Sequence, residues 1–210
     1  MADGLREQII AGSIEALRDL GIRGFSMDAA ALRSGVSRKT LYNYFASRLE
    51  LLDAVFEGSF KTTIASLEAI ARDPGIDFVT KLNRVTEEGF RRVRESSRLF
   101  RQGGGPSIHP RSAALYREFR RSLLSLIKGI VEEGANLGYV RPDVDHRKLT
   151  YVVINMVEGL LYLEDPEDEP FTRPEILQES IKILFLGAAS PLGAETLSSY
   201  SFLASPEAVQ

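Results

Sequence analysis

The 210-residue chain has no cysteine and only two histidines, His109 and His146. The missing thiols exclude a disulfide framework, a thiolate zinc site and a cysteine nucleophile. The two histidines are far apart in the sequence, so a histidine-rich metal site or a histidine relay is not expected. We therefore predict a protein that needs neither a metal nor another cofactor.

The chain also lacks long apolar runs. No stretch approaches the ~18 residues that a membrane-spanning helix needs, and charged residues interrupt the first 20 positions, where an export signal would be apolar. With 44% hydrophobic residues and a formal net charge of −3, the chain is nevertheless too apolar to be disordered. We expect a folded cytoplasmic protein with no membrane partner, built as one large domain or as a small and a larger one.

Basic residues are unevenly distributed along this acidic chain. Between Arg23 and Arg48, five basic residues stand against one acidic residue, Asp28, which leaves about −7 for the rest of the chain. A basic segment within an acidic protein indicates a polyanionic partner for that segment alone. A solvated charged surface would give the same pattern, so charge does not decide between the two interpretations.

Apolar residues recur at helical spacing throughout, and neither a strand pattern nor an internal repeat is visible, which predicts an all-α fold. N-cap residues, glycines and prolines predict short helices at about 3–20, 27–34 and 38–44 and a long helix from 47 to about 72. Four longer helices carry apolar stripes that begin at Phe78, Leu115, Leu149 and Leu177. Proline, glycine, serine and alanine dominate after residue 190, which predicts a loose tail over 191–210.

Residues 27–44 have the pattern of two short helices joined by a tight turn. Small side chains at Ala30 and Ala31 allow the helices to cross closely, and Gly35 permits the turn. Val36 and Leu41 are placed to hold the second helix against the first. A helix-turn-helix and an ordinary helical hairpin share these features, so the pattern alone does not decide between the two.

The start of the second short helix carries two cations, Arg38 and Lys39. The helix dipole disfavours positive charge at this end, and the first turns of the neighbouring helices carry acids instead, Asp28 and Glu50. An anion that binds from outside would explain the cations. DNA is such an anion, because recognition helices contact bases mainly through their N-terminal residues.

The segment from Phe25 to Leu52 combines the glycine turn, the run Leu-Tyr-Asn-Tyr-Phe and the capping box Ser-Arg-Leu-Glu. Over about residues 5–56 the sequence closely resembles the DNA-binding domain of the tetracycline-repressor (TetR) family of transcriptional regulators. The resemblance implies a helix-turn-helix DNA-binding domain in residues 1–46. It also implies a larger helical domain in residues 47–190 for effector binding and dimerisation.

The resemblance further implies which residues contact DNA. Family members often carry His or Trp at the position of Asn43 and Lys at that of Ala46, so one possible phosphate contact is missing here. Val36, Leu41 and Phe45 would be core residues. The implied DNA contacts are Ser26, Ser37, Arg38, Lys39, Thr40, Tyr42, Asn43, Tyr44 and Arg48.

The helix from about Leu149 to Leu163 is apolar on more than one face and must be covered on all sides. A second subunit or a large monomeric core would cover it, and the family resemblance favours a homodimer. The candidate interface residues are Val152, Val153, Met156, Val157, Leu160, Leu177, Ile181 and Leu184.

An effector pocket is likewise implied by the resemblance, and the sequence does not name the effector. Aromatic and polar residues on the inner faces of helices are the candidates, although each could equally be ordinary core. They are Phe60, Phe90, Phe100, His109, Tyr116, Phe119, Tyr151 and Asn155.

Catalysis has no candidate in this sequence. No nucleophile with a base and no distinctive carboxylate pair is visible, and Gly103-Gly104-Gly105 lacks the Lys-Ser/Thr of a phosphate-binding loop. We predict a non-enzymatic, dimeric repressor that binds palindromic double-stranded operator DNA and is released by a small-molecule effector. A regulator that acts as an activator, or a helical adaptor without DNA binding, is the alternative.

Overall fold

Helices account for the regular structure of residues 2–99, 110–162 and 169–197, which are the residues that this computed structural model describes. Within those ranges the only β contact is an isolated bridge between Val140 and Ala189, so the all-α prediction is confirmed. None of the helices described there is long and apolar enough to cross a bilayer. In chain order the helices are α1 (Ala2–Gly24), α2 (Met27–Arg33), α3 (Arg38–Tyr44), α4 (Arg48–Ala71), α5 (Phe78–Leu99), α6 (Pro110–Asn136), α7 (His146–Tyr162), α8 (Arg173–Ala188) and α9 (Pro191–Leu197).

The helix boundaries follow local signals in the sequence. Gly21 has a φ of 66° and interrupts α1 at the predicted stop. Ser26 and Ser37 are the N-caps of α2 and α3. A capping box joins Thr172 and Glu175 at the start of α8, so two backbone N–H groups that the helix leaves unpaired are satisfied.

The helices form two compact units. The first contains the described residues of Met1–Thr63 and Glu95–Phe119, and the second those of Ile64–Arg94 and Arg120–Gln210. The sequence predicts a domain boundary after residue 46, whereas α4 stays in the first unit as far as Thr63. The reason is that apolar residues of α4, such as Leu51 and Val55, belong to the core of the first unit.

The first unit is built around a continuous apolar core. Ile9 and Leu17 of α1, Leu41 of α3 and Val55 of α4 are all completely buried in it. Among the described residues, fewer side chains are completely buried in the second unit, and one of them is Ile154 of α7.

The beginning of the predicted tail is ordered by packing. The Ser190 hydroxyl donates to Gly138 O at 2.6 Å and accepts from Gly193 N, which makes Ser190 the N-cap of α9. A Cβ at Gly193 would lie 2.2 Å from Tyr139 O, so only glycine permits this approach. The prediction of a loose tail is therefore corrected for residues 191–197, and residues 198–210 lie outside the described ranges. The composition of this segment indicated a loop. In the structure, Ser190 is the N-cap of α9, Pro191 is its first residue and Gly193 makes the close contact with Tyr139.

Candidate DNA interface and ligand cavity

Helices α2 and α3 are joined by the turn Ser34–Ser37. Gly35 has a φ of 65°, a left-handed conformation that glycine adopts without strain. Val36 N donates to Ala31 O at 3.1 Å, and Ala30 and Leu41 are completely buried. The turn and the small residues of α2 therefore fix α3 against the rest of the unit as the sequence predicts.

The same turn is anchored to α1 by contacts that the sequence analysis missed. Gln8 Nε2 donates to Ser34 O at 2.8 Å, and the Ser34 hydroxyl lies 3.2 Å from Ile9 O, which it can reach as a donor. A Cβ on Gly12 would lie 2.6 Å from the backbone of Ser34. A glycine in the middle of a helix costs about 1 kcal/mol relative to alanine, so Gly12 was a readable signal of close approach.

Hydrogen bonds within the chain order the N-terminus of α3. Thr40 N donates to the Ser37 hydroxyl at 3.0 Å, and the two hydroxyl oxygens lie 2.8 Å apart. Both hydroxyls are therefore already engaged with each other at the position where a recognition helix would meet the groove.

Arg38 is held by two neighbours on the surface of the first unit. Its Nε lies 3.2 Å from Asp28 Oδ1, and its guanidinium lies 5.7 Å from the centre of the Tyr42 ring. A hydrogen bond with Tyr42 and the charge of Asp28 raise the pKa of Arg38 above its ordinary value. The pair is exposed to water, so it contributes little to stability and mainly orients the guanidinium.

Lys39 is exposed like Arg38, but it has no ion pair within the described ranges. Tyr42 and Asn43 follow it by three and four positions, so the three side chains share one face of α3. Tyr42 and Asn43 are exposed as well, whereas Tyr44 packs partly against the core. This face combines a cation, a phenol and an amide, which can contact both phosphates and base edges.

Arg48 already makes contacts within the first unit. Its Nε donates to Phe25 O at 2.9 Å, a second nitrogen donates to Ile22 O, and the guanidinium lies 5.8 Å from the centre of the Phe25 ring. Ser26, next to Phe25, accepts from Ala29 N at 3.1 Å. Ser26 and Arg48, which are both predicted to contact phosphates, therefore also stabilise the junction between α1 and α2. The Arg48 guanidinium has five N–H donors, so it keeps some of them for a ligand.

Residues 9–55, which contain this surface, match the family described as bacterial regulatory proteins, tetR family. The chain carries a TetR-family DNA-binding domain. It is 21% identical over 173 residues to the "Uncharacterized HTH-type transcriptional regulator YhgD" of Bacillus subtilis, an alignment that covers 81% of this chain and 90% of that protein. The helix-turn-helix formed by α2 and α3 of the present chain is the DNA-binding motif that this family predicts.

Solved structures share the fold of this chain. A TetR transcription regulator from Haloarcula marismortui superposes with a TM-score of 0.73 at 18% identity, covering 90% of this chain and all of that one. The regulator FadR from Bacillus subtilis, solved in complex with stearoyl-CoA, gives a TM-score of 0.63 at 18% identity, covering 86% of this chain and 98% of that one.

The second unit of the chain contains an apolar cavity of about 140 Å³. Helices α5, α6, α7 and α8 and the turn after α6 form its wall. The spacing of the residues from α5 and α7 is helical, which places each set on one face. The lining residues are Phe78, Leu82, Val85, Thr86, Ile127, Ile130, Val131, Gly134, Tyr139, Val140, Leu149, Val153, Met156, Ile181, Leu184, Phe185, Ala188 and Ala189.

The predicted pocket residues and this cavity do not coincide. Phe60, Tyr116 and Phe119 form an aromatic cluster in the first unit, with 4.5 Å between the ring centres of Phe60 and Phe119. Phe90 packs against Leu177 instead. Tyr151 is exposed, Asn155 accepts a hydrogen bond from Arg120, and Phe100 and His109 lie outside the described ranges. The sequence analysis favoured aromatic residues, whereas mostly aliphatic residues line the cavity.

Most residues predicted for the dimer interface lie inside the second unit. Val153, Met156, Ile181 and Leu184 line the cavity, Leu177 is buried, and Val157 packs beside it. Val152 is exposed, and the side chain of Leu160 lies outside the described set. The exposed apolar residues of α7 and α8 are Tyr151, Val152, Ile183 and Leu186, which we call the α7–α8 face.

Neither unit offers a metal site in its described part. No group of three or more His, Asp or Glu side chains there is arranged to hold a metal ion.

Proposed function

We propose that this protein is a TetR-family repressor that binds a palindromic operator as a homodimer and leaves the DNA when a small-molecule effector occupies the cavity. The observation that carries the proposal is the exposed face of α3, with Lys39 free of ion pairs within the described ranges. The ligand-sized cavity in the second unit supports regulation by an effector.

On this proposal α3 enters the major groove. Lys39 and Asn43 would contact base edges or phosphates near the groove floor, and Arg38 would contact the rim. Tyr42 and Tyr44 would reach phosphates through their hydroxyls, as would Ser37 and Thr40 at the helix start. Ser26 and Arg48 would add phosphate contacts beside the ones that they already make within the chain.

Dimerisation would use the α7–α8 face. Tyr151 and Ile183 are 51% and 63% exposed in the single chain, and exposed large apolar side chains on two helices that contact each other favour a covering partner. A two-fold axis through this face would repeat α3 and allow it to read two half-sites about 34–36 Å apart. A dimer bound to an operator that overlaps the promoter would repress transcription by blocking access to it.

Helix α6 is a route by which an effector could affect DNA binding. Near its start, Tyr116 and Phe119 contact Phe60 of α4 in the first unit, and further along, Ile127 and Ile130 line the cavity. A ligand that favours one position of α6 would shift the population of the whole chain, and the shift can be no larger than the difference in ligand affinity between the two states.

Binding to labelled duplexes that tile the region upstream of the gene tests the DNA-binding half of the proposal. The Lys39→Ala variant should bind about tenfold more weakly and lower the slope of log affinity against log salt by about one if the lost contact is to phosphate. Lys128→Ala, which removes an exposed cation from α6, is the matched control and should bind as wild type does. Unchanged binding by Lys39→Ala would remove this residue from the interface.

Asp28→Asn tests whether the acid beside Arg38 limits contact with DNA. The change removes a negative charge near the proposed interface and releases the guanidinium, so we expect several-fold tighter binding and a steeper salt dependence. If the variant binds more weakly, Asp28 instead positions Arg38 for its contact.

The Ile183→Glu variant tests the dimer interface. A carboxylate in the middle of a buried apolar face should convert the dimer to a monomer, measured by light scattering, and weaken DNA binding with it. Leu192→Glu, on the exposed side of α9, is the control and should keep the wild-type mass. A wild-type mass for Ile183→Glu would contradict the proposed face.

A further inference from the structure

We infer that the cavity takes an uncharged, largely apolar small molecule about the size of a single substituted ring. This inference rests on the proposal that the cavity is the effector site. It specifies the chemical class of the effector, which a TetR-family DNA-binding domain does not.

Among the residues that the structure describes, none in the wall of the cavity carries a carboxylate, ammonium, guanidinium or imidazole group. Its only side-chain hydroxyls belong to Thr86 and Tyr139, and Thr86 already donates its proton to Leu82 O at 2.8 Å. A charge that is buried without a partner is disfavoured far more than a neutral polar group. The wall therefore accepts at most one or two neutral polar atoms of a ligand.

Two cations next to lining residues, Lys81 and Arg141, are paired with carboxylates. Lys81 Nζ lies 2.7 and 2.8 Å from the two oxygens of Glu133, in a salt bridge between α5 and α6. Arg141, which follows the lining residue Val140, lies 2.8 Å from Asp143. These pairs are already neutralised, so an anionic ligand would have to compete with a carboxylate for either cation.

Four further cations of the lining helices, Arg84, Arg117, Arg121 and Arg147, are exposed and have no ion pair within the described ranges. Arg117 and Arg121 precede Ile127, the first lining residue of α6, by more than one helical turn. Arg84 is exposed and follows the lining residue Leu82 by two positions, which is about 200° around a helix. Arg147 is exposed and has the same relation to Leu149 on α7. The described wall thus offers no cluster of free cations for a carboxylate or a phosphorylated head group. On this point the chain is expected to differ from FadR, whose structure contains stearoyl-CoA.

The volume of the cavity suits a small ligand. The cavity measures about 140 Å³. An engineered protein cavity of roughly 150 Å³ with a similar aliphatic and aromatic lining stays free of water and binds benzene. A single ring with a short substituent fits the present space, whereas a long acyl chain requires the surrounding helices to move.

Matched small probes test the inference on the full-length chain. Benzyl alcohol, benzoate and benzylammonium share one ring and differ in charge, and octanoyl-coenzyme A adds a phosphorylated head. Binding is measured by ligand-observed NMR and calorimetry. We expect benzyl alcohol to bind and both charged ring probes to bind at least about 100-fold more weakly.

Two cavity-filling variants and one control locate the binding. Val153→Phe places a ring in the cavity and should weaken benzyl alcohol binding at least tenfold. Leu192→Phe adds a ring on the exposed side of α9, outside both the cavity wall and the α7–α8 face, and should leave the binding unaltered. Should Val153→Phe fail to fold, as judged by circular dichroism, Ala188→Leu fills the same cavity with a smaller added volume.

The outcomes separate this inference from the proposed function. Benzoate, benzylammonium or octanoyl-coenzyme A that binds as tightly as benzyl alcohol, with the same sensitivity to Val153→Phe, overturns the neutral class and leaves the effector site in place. Absence of binding by every probe, together with a normal DNA complex, also overturns the inference. Absence of the DNA complex itself is the separate failure of the proposed function.

Discussion

The two units of this chain contrast in how they fill their interiors. In the first unit, side chains such as Ile9, Leu17 and Leu41 have no exposed surface, and helices approach as closely as Gly12 allows. In the second unit, four helices leave about 140 Å³ open between aliphatic side chains. Close packing fixes one arrangement, whereas an open interior can accept a ligand or rearrange.

The contrast matches the demands placed on each unit. A recognition helix must present side chains in a fixed geometry, because a bidentate contact with a base is worth about 1–3 kcal/mol only when its geometry is kept. A regulatory domain needs at least two states of similar free energy. We therefore expect equal changes in sequence to cost more stability in the first unit than in the second.

Truncation of one leucine in each unit tests this comparison most directly. Leu41→Ala removes a completely buried side chain and should lower the free energy of unfolding of the first unit by about 3–4 kcal/mol. Leu149→Ala removes a half-buried side chain that already borders empty space, so we expect a loss of only about 1–2 kcal/mol in the second unit. Urea denaturation, analysed unit by unit, measures both, and equal losses would contradict the contrast.

Two glycines of the first unit sharpen the comparison. Gly12→Ala should lower stability by about 2 kcal/mol, since the new methyl group would meet the Ser34 backbone at 2.6 Å and displace the turn before α3. Gly58→Ala, whose Cβ would meet only Ile10 Cγ2 at an ordinary contact distance of 3.9 Å, should raise stability by about 0.5–1 kcal/mol through helix propensity. Thermal unfolding measures the pair, and an unaltered melting temperature for Gly12→Ala would show that α1 and the turn separate easily.

The smallest expected effect concerns charge in the second unit. Hydrogen bonds from Arg91, and further ones from Ser66 and Arg92, lower the pKa of Glu88 from 4.5 to about 2. Because the pKa is lower in the folded state, this stabilisation is complete above about pH 4.5 and is lost as the pH falls towards 2. Glu88→Gln should therefore lose about 1–2 kcal/mol at neutral pH and show a flatter acid limb.

The Glu88 prediction is checked by melting temperatures between about pH 2 and 7. Glu179→Gln removes a more exposed carboxylate, 3.6 Å from Lys182, and serves as the control with an expected change of less than about 0.5 kcal/mol. An acid limb as steep in Glu88→Gln as in wild type would assign the acid sensitivity to other groups.

Local signals carried most of the prediction of the first unit. Ser26, Ser37 and Gly35 act through their own backbone neighbourhood, so the helices and the turn could be read from sequence. The contacts of Arg48 with Phe25 O and Ile22 O could not, because they join positions 23 and 26 residues apart. No periodicity or capping rule encodes such a contact.

The cavity, in contrast, could not be predicted from the sequence. Apolar spacing on α7 predicts that Val153 and Met156 are covered, but the same pattern fits a partner subunit, a packed core or a cavity wall. Aromatic residues drew attention as pocket candidates because of their size. Phe60 and Phe119 instead stack on each other, an arrangement that buries the apolar surface of both rings.

The amino-acid sequence by itself determined the helices, the turn at Gly35 and the cations at the start of α3, because capping, backbone conformation and helix-dipole effects act over a few residues. The tertiary structure alone decided which apolar faces close on each other and which leave space between them. That outcome depends on the shapes of side chains that meet from distant parts of the chain, such as Leu82, Val153 and Ile181.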